Sequence, residues 1–481
     1  MQTNIGRREF LQLAAAGAAV HFGGLYIPAA GAQGDRSRII SPGCRRSKVK
    51  VAKIYVGVQG SHYPNPDLDV KKEVQSYEAE FAKLKDELAD VEFVVDGLIS
   101  SADQLGQWRD KLKEVDGILA IHLTLWTMPI IEELLRLQRP TMIFSAPYSG
   151  HEWHVLTGLY KQKEGSNLEC VLTSDYRQLA AAIRPFRAIH HLREAKVLNL
   201  ATQQSDEYMQ QVREKFGTEI KRIDLQRALD AYNAVSNDDA ESEAQLWIKG
   251  AREVVEPTRP DIVKSCRLAL AFERLMNEEE ATVMAVDCYG SMFEPLCRAY
   301  AYPCIGFARL NNQGLGGICQ SDLPCAMTHI LFQGLSGRPG FVCNPGFDYS
   351  TNSAIMIHCL GTPKMDGPDG PAASYRLRSV MERREGVVPQ VKMRIGERTT
   401  QAVLDGTSKL LYFTGRITDT PETDRGCRSK ITVKVDGDAE QLWKNWSGGI
   451  HRVACYGDLT KELEHFCRFK QIELVNEAVK A

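Results

Sequence analysis

The sequence lacks the charge imbalance that proteins binding nucleic acids or anionic membranes carry. Lys and Arg together number 59 and Asp and Glu 61, which gives a formal net charge of −2. Neither a nucleic acid nor an anionic membrane is therefore indicated as a partner, and a small, neutral or mildly polar ligand fits better. The chain also has no internal repeats and no C-x-x-C pair, which excludes repeat architectures and zinc fingers.

Cysteine is present in an odd number, 13, and seven cysteines fall between Cys288 and Cys359. Several lie in apolar runs, as Cys319 does, and a buried free cysteine behaves as a small hydrophobic residue. We therefore expect mostly free thiols in the core, with disulfides or a thiol site as the open alternative. Free thiols agree with folding in a reducing cytoplasm, even for a protein that later leaves it.

The N-terminus carries a candidate targeting segment. Arg7 and Arg8 are followed by Glu-Phe-Leu and an Ala/Gly-rich stretch, which resembles a twin-arginine export signal. An A-x-A-like site at 30–32 predicts a signal peptide over 1–32, followed by a linker over 33–47. We expect the twin-arginine machinery to export the folded protein. It would then be periplasmic, or tethered to the membrane by an uncleaved signal.

Short apolar runs alternate with amphipathic stretches before residue 340. Predicted strands lie at 48–60, 91–99, 116–123, 141–147, 196–201, 219–223 and 282–287. Helical patterns separate them, such as 70–88 and a helix through Met276 for which Asp261 is the predicted N-cap. The alternation indicates β-α-β units and parallel sheets. We therefore predict an α/β fold with two doubly wound Rossmann-like domains, at 48–192 and 193–344.

The pattern changes after residue 345, where apolar or alternating runs follow one another without long helices between them. The runs are SAIMIHC, VPQVKMRI, KLLYFTGRI and ITVKV, with Gly/Pro/Asp turn signals in the gaps. This pattern is typical of an antiparallel β domain, a barrel or a sandwich. We predict an antiparallel β-barrel-like C-terminal domain over 345–481, with a terminal helix from Asp458 to Phe469.

Acids and histidines in the second half of the chain form a candidate metal site. Ligands of open α/β sheets bind outside the carboxyl ends of strands, and Asp287 stands at such an end. Glu294 follows it, Asp322 precedes a predicted helix, His358 ends an apolar run and His451 opens a late strand. Carboxylates with neutral imidazoles suit Mn²⁺, Mg²⁺, Co²⁺ or Zn²⁺. Such an ion can stabilise an enediolate while a nearby carboxylate carries the proton.

Each of these residues also has a structural interpretation that spacing alone leaves open. Asp322 before Pro324 fits a helix N-cap, and Glu294 fits a solvated helix residue. His358 fits a hydrogen-bonded core histidine, and His451 beside two glycines fits a turn. The separations match no short metal motif such as H-E-x-x-H.

The segment from VDCYGSMFEP to the Asp322 helix resembles the core of the L-fucose/L-arabinose isomerase-like family. Similar elements are the cysteine-containing strand end, the Pro303-Cys304 pair, the L-N-N-x-G segment and Cys319 ahead of Asp322. The His358-Cys359 pair and the terminal GGIHRVACYGD are similar too. The resemblance covers 280–365 well and 445–475 fairly, whereas the N-terminal half agrees only in layout.

The resemblance implies two Rossmann-like domains, a C-terminal β-barrel, a divalent metal that is commonly Mn²⁺, and aldose–ketose isomerisation through an enediol. It implies Glu294 and Asp322 as catalytic metal acids, with Asp287 as a rival to Glu294. It implies His358 and His451 as further metal ligands. A sugar substrate and a homo-oligomer are implied as well.

One residue departs from the family pattern. Family members resembling fucose isomerase usually carry Glu two residues before the ligand Asp, where this chain has Gln320. A neutral amide cannot act as a general base at that position. Three functions therefore stay open: a sugar isomerase, an epimerase or lyase acting on a modified sugar with the same metal site, and a non-catalytic sugar-binding protein.

Overall fold

The structure, a computed structural model, describes residues 45–203 and 205–480 of the chain. These residues belong to one unit, which extends from Gly34 to Ala481. The predicted signal peptide and nearly all of the predicted linker lie outside the described residues. The twin-arginine signal, its cleavage and the export route therefore stay predictions.

The first sheet contains five parallel strands, as the N-terminal alternation predicts. The strands are β1 (Val49–Val56), β2 (Val91–Ile99), β3 (Gly117–His122), β4 (Thr141–Ser145) and β5 (Leu168–Leu172). The helices are α1 (Val70–Lys83), α2 (Arg109–Leu112), α3 (Met128–Arg136), α4 (Trp153–Tyr160), α5 (Gln178–Ala181) and α6 (Arg184–Glu194). The order β2-β1-β3-β4-β5 is that of a doubly wound fold, with its switch point between β1 and β3.

The second sheet contains four parallel strands. The strands are β6 (Lys196–Leu200), β7 (Glu219–Arg222), β9 (Val283–Val286) and β10 (Gly316–Cys319), in the order β10-β9-β6-β7. The helices are α7 (Asp206–Phe216), α8 (Leu225–Asn233), α9 (Asn237–Gly250), α10 (Arg259–Glu278), α11 (Cys304–Asn312) and α12 (Leu323–Ser336). The carboxyl ends of β9 and β10 lie side by side because these two strands pair with each other.

One predicted helix start is wrong by three residues. The N-cap of α10 is Thr258, whose side chain accepts a hydrogen bond from the backbone N–H of Asp261. Asp261 is the third residue of the helix and accepts a bond from the Thr258 backbone N–H at 3.0 Å. The two residues form a capping box, and its start signal, Thr-x-x-Asp, is readable in the sequence.

A closed, six-stranded antiparallel barrel forms near the C-terminus. Its strands are β11 (Phe341–Asp348), β12 (Ser353–His358), β15 (Arg398–Asp405), β16 (Lys409–Asp419), β17 (Ser429–Val435) and β18 (Arg452–Tyr456). The order is β15-β18-β11-β12-β17-β16, and pairing of β15 with β16 closes the ring. The remaining elements here are α13 (Ala439–Asn445), α14 (Thr460–Lys470) and β19 (Glu473–Asn476), which adds to β16 in parallel.

Two strands of the predicted β region lie outside the barrel. β13 (Tyr375–Val380) and β14 (Glu385–Val391) form a hairpin, and β8 (Glu253–Val254) joins β13 in parallel. The fold class is thus as predicted, with parallel α/β sheets followed by an antiparallel barrel. The predicted domain boundaries stay predictions.

Helix α12 joins the second sheet to the barrel. Its residues Ile330 and Leu331 belong to the same buried cluster as Val197 of the sheet and Val403 and Val453 of the barrel. Because α12 begins at the carboxyl end of β10 and packs against the barrel, this end of the sheet lies close to the barrel. None of the helices in the described part of the chain combines the length and apolar character that a membrane span requires.

The cysteines of the described residues are free thiols. Ten of these twelve are buried, and Cys170 and Cys427 are half-buried. Within residues 45–203 and 205–480 the expectation of core thiols is therefore confirmed.

Candidate active site

Asp322 lies where β10 ends and α12 begins. Its Oδ1 accepts a hydrogen bond from the backbone N–H of Cys325 at 2.9 Å, so the residue is the helix N-cap, as one of the two interpretations of the sequence proposed. The two preceding residues, Gln320 and Ser321, have φ angles of 58° and 52°. Consecutive left-handed residues other than glycine are rare and cluster at functional sites.

Two contacts of Ser321 hold this left-handed turn in place. Its backbone N–H donates to the carbonyl of Val286 at the end of β9, at 2.9 Å. Its hydroxyl donates to Asn199 Oδ1 on β6, at 2.6 Å. The two neighbouring parallel strands therefore fix the turn, and with it the position of Asp322, the next residue.

The fold brings Asp322 and His451 together although 129 positions separate them in sequence. His451 Nδ1 lies 2.8 Å from Asp322 Oδ2, and the histidine is 2 % exposed. The ring of His358 stands beside that of His451, with centroids 5.3 Å apart and planes at 66°. Three of the four predicted metal ligands thus meet where α12 approaches the barrel.

Burial and neighbouring groups set the charges of this cluster. Burial opposes ionisation of Asp322, but hydrogen bonds from His451 and from the Cys325 backbone outweigh it and hold the pKa of the carboxyl below its ordinary value. Burial, followed by the nearby charge of His451, lowers the pKa of His358 to about 3. At neutral pH the cluster therefore contains a carboxylate and a neutral His358 imidazole.

Four buried polar atoms around this cluster have no hydrogen-bond partner within the described residues: His451 Nε2, His358 Nδ1, Asn344 Oδ1 and the Tyr208 hydroxyl. Asn344 follows Cys343, which pairs across β11 and β18 with Arg452, the residue after His451. The charge of Asp322 contributes, after burial, to a raised pKa of the Tyr208 phenol, which places Tyr208 near the carboxylate. Buried polar groups normally find partners, so this concentration of unpaired atoms marks the cluster as a candidate site for a ligand or an ion.

Sequence reasoning missed Tyr208 and Asn344. Tyr208 occupies an inward position of α7, and Asn344 follows a buried run in β11. Both positions resemble ordinary core sites in the sequence, so no local signal marks them.

The other candidate residues make different contacts. The Glu294 side chain is 68 % exposed on a π-helical turn and forms an ion pair with Arg298 at 3.1 Å. Asp287 accepts hydrogen bonds from the backbone N–H and the hydroxyl of Ser291, each at 2.7 Å. The described hydrogen bonds and ion pairs join neither acid to Asp322, His358 or His451. Their predicted roles stay predictions.

The backbone around His451 is fixed by its neighbour Arg452, which is fully buried. Its guanidinium donates to the carbonyls of His451 and Ser447, at 2.8 and 2.7 Å, and pairs with Glu477 at 2.6 Å. It also lies 3.9 Å from the ring centroid of Trp446. Arg452 therefore holds both ends of the glycine-containing turn that leads into His451.

The donor atoms of this cluster match the chemistry of a hard or borderline divalent cation. Asp322, Cys325 and His451 offer ligand atoms that all lie within 4.8 Å of one another. Burial raises the pKa of the Cys325 thiol well above its ordinary value, so it stays protonated. Carboxylate oxygen and imidazole nitrogen remain as donors, the set that Mn²⁺, Co²⁺ and Zn²⁺ accept.

Comparison with curated proteins finds a sugar isomerase among the relatives of this chain. The chain is 24 % identical over 270 residues to sulfoquinovose isomerase of Clostridium sp. (strain MSTE9). The match covers 52 % of this chain and 56 % of that protein, so the chain spans about half the length of the curated relative it matches. No protein-family model matches the chain.

Proposed function

We propose that this protein is a metal-dependent sugar isomerase that interconverts an aldose and a ketose by proton transfer through an enediol. The observation that carries the proposal is the pair of buried imidazole nitrogens without partners, His358 Nδ1 and His451 Nε2, beside the carboxylate of Asp322. The distant sequence similarity to a sugar isomerase supports the same reaction class.

Asp322, His358 and His451 would hold the cation, with Mn²⁺ the expected ion. Such an ion polarises a carbonyl and stabilises negative charge on the oxygens of an enediolate. The fit rests on the donor set, because a carboxylate oxygen and imidazole nitrogens are ligands that such a divalent ion accepts.

The protein groups then divide the remaining tasks. Asp322 Oδ2 and His451 Nδ1 lie 2.8 Å apart, so a cation held by both atoms would take the place of the proton between them, and the partnerless Nε2 would be left for the substrate. The raised pKa of Tyr208 keeps its phenol protonated, so this hydroxyl serves as a donor to a substrate oxygen. Asp322 is the proposed proton carrier inside the cluster. Glu294 is the proposed second acid once it leaves Arg298.

The proposed substrate is a sugar or sugar derivative with neighbouring hydroxyl and carbonyl oxygens. The balanced net charge of the chain and the name of its relative, sulfoquinovose isomerase, both agree with a small carbohydrate. Sulfoquinovose, fucose and arabinose therefore belong in the first substrate panel.

The test is incubation of purified, Mn²⁺-loaded protein with the panel in D₂O, followed by NMR of the products. An isomerase using an enediol forms the ketose and places solvent deuterium on the carbon next to the carbonyl. We expect a chelator to abolish this exchange and added Mn²⁺ to restore it. His358→Asn should abolish it too, whereas His465→Asn, at a half-buried histidine of α14, should preserve it. Absence of exchange with every sugar would refute the proposal.

A second candidate is an epimerase or lyase that acts on a modified sugar at the same site. It is favoured by Gln320, a neutral side chain in the left-handed turn directly before Asp322. Both reactions also pass through stabilised carbanionic states, so product structure separates them. Ligand-induced thermal stabilisation without turnover would instead identify a non-catalytic sugar-binding protein.

Export and assembly complete the proposal. We propose that Arg7 and Arg8 direct the folded protein through the twin-arginine machinery to the periplasm or its membrane face, and that the protein is a homo-oligomer. Replacing both arginines by lysine should retain the protein in the cytoplasm, as cell fractionation would report.

A further inference from the structure

A second group of metal-binding side chains lies apart from Asp322 and His451. Cys427 Sγ donates to Glu382 Oε1 at 2.8 Å, and Cys359 Sγ lies 4.0 Å from Cys427 Sγ. Together the three side chains offer ligand atoms that all lie within 4.8 Å of one another. Nothing in the proposed isomerase reaction uses them.

The spacing and chemistry of the two thiols suit a thiophilic cation. Two thiolates on a tetrahedral Zn²⁺ with bonds of about 2.3 Å would stand about 3.8 Å apart, close to the 4.0 Å between Cys359 and Cys427. The carboxylate of Glu382 supplies an oxygen, which zinc also accepts as a ligand. The group is also accessible, because Cys427 is half-buried and Glu382 is exposed.

A neighbouring tyrosine orients the carboxylate. The Tyr289 hydroxyl donates to Glu382 Oε2 at 3.1 Å and lies 3.8 Å from Cys359 Sγ. Hydrogen bonds of this kind from outside the ligand set hold metal ligands in position. Glu382 is thus held with Oε2 on the tyrosine and Oε1 towards the thiols.

The geometry points to a second metal site, in which Cys359, Cys427 and Glu382 bind a thiophilic divalent cation such as Zn²⁺, with a water completing the tetrahedron. On binding, the two thiols release their protons to solvent as the metal–sulfur bonds form. The ion joins the residue after β12, the β13–β14 turn and the segment that leads into β17. It therefore clips the small three-stranded sheet to the barrel.

The test uses Co²⁺ as a spectroscopic substitute for Zn²⁺ on the full-length, reduced protein. Thiolate-bound Co²⁺ gives charge-transfer absorption in the near ultraviolet and strong visible bands when tetrahedral. We expect both in the wild type, their loss in Cys427→Ser, and displacement of the bands by one equivalent of Zn²⁺. Added to protein already loaded with Mn²⁺, Zn²⁺ should also raise the melting temperature of the wild type by more than that of Cys427→Ser.

Two control variants separate this site from others. Cys170→Ser removes a half-buried thiol of β5 and should keep the cobalt bands. Cys325→Ser removes the thiol next to Asp322 and His451 and should keep them as well, so a failed isomerase proposal leaves this result intact. Cobalt bands that survive Cys427→Ser, or that are lost in Cys325→Ser, would overturn the assignment. So would their absence from the reduced wild type.

Discussion

Asp322 has two roles, and a single substitution can separate them. One carboxylate oxygen caps α12 through Cys325, and the other faces His451. Asparagine is as good an N-cap as aspartate, but it carries no charge. Asp322→Asn therefore tests the charge while leaving the helix start intact.

For Asp322→Asn we expect the metal content and the turnover to fall by about 100-fold or more, because an anionic donor at the cation is lost. The free energy of unfolding of the metal-free protein should change by less than about 1 kcal/mol. Elemental analysis, sugar turnover and urea unfolding measure the three quantities. The matched control is Asp438→Asn, which alters the N-cap of α13 and should leave metal and turnover unchanged. A variant that retains its Mn²⁺ would remove Asp322 from the site.

At the scale of secondary structure, the turn before β18 depends on a buried ion pair. Arg452 and Glu477 are both fully buried, and the guanidinium reaches the carbonyls on either side of the turn. Removing one partner of such a pair leaves a buried charge without compensation.

Glu477→Gln should therefore lower the free energy of unfolding by about 3–5 kcal/mol. It should also weaken Mn²⁺ binding, because the backbone that carries His451 loses its anchor. Urea unfolding and metal titration measure the two effects. Glu440→Gln, at an exposed pair with Lys444, is the control and should leave both nearly unchanged. Equal free energies of unfolding of Glu477→Gln and the wild type would show that the Arg452–Glu477 ion pair does not stabilise the fold.

The contact between α6 and α12 leaves no room for a side chain at Gly334. A Cβ there would lie 2.4 Å from the Cα of Ala188, which is backbone and cannot rotate away. The close approach lets α12 keep its position between sheet and barrel. Glycine is otherwise unfavourable in a helix interior by about 1 kcal/mol relative to alanine.

Gly334→Ala should lower the free energy of unfolding by about 1–3 kcal/mol, because overpacking outweighs the gain in helix propensity. The control is Gly158→Ala in α4, where an added Cβ meets nothing within 4 Å. That variant should gain up to about 1 kcal/mol. Chemical denaturation of both variants measures the difference, and a stabilised Gly334→Ala would show that the helices can separate without cost.

At the scale of the whole molecule, His329 links the second sheet to the barrel. On α12, its Nε2 donates to the Leu315 carbonyl before β10, and its Nδ1 accepts from the Gly340 N–H before β11, both at 3.2 Å. Burial lowers the pKa of His329 to about 4, despite the opposing bond to Leu315. A second proton on the ring would remove the acceptor for Gly340.

This lowered pKa makes stability depend on pH in a defined direction. Between about pH 6.5 and 4 the unfolded chain binds a proton at His329 that the folded chain does not. The free energy of unfolding therefore falls as pH falls through this window, by up to about 1.4 kcal/mol per pH unit from this residue. In His329→Gln the slope should decrease by that amount, while the two proteins differ by a constant above pH 7. Urea unfolding of metal-free protein at pH 4–8 measures this, and parallel curves would contradict it.

The alternation of strands and helices is local, and the sequence predicts it well. β2 lies at the predicted residues, and the parallel sheets and the late β domain follow from periodicity. Pairings between strands that lie far apart in the sequence could not be predicted from it. That β13 and β14 join β8 instead of the barrel depends on contacts between residues more than 100 positions apart. The helix start at Thr258 was missed although its capping box is readable.

By itself, the sequence determined the kinds of layers and the residue types able to bind a metal, because periodicity, turns and side-chain chemistry act over short distances. Only the tertiary structure decided which of those residues meet. Packing of α12 between sheet and barrel brings Asp322 to His451 and His358, whereas Glu294 pairs with Arg298 at the surface. The unpaired atoms of Tyr208 and Asn344 were likewise decided by the tertiary structure, since burial without a partner is a property of the folded chain.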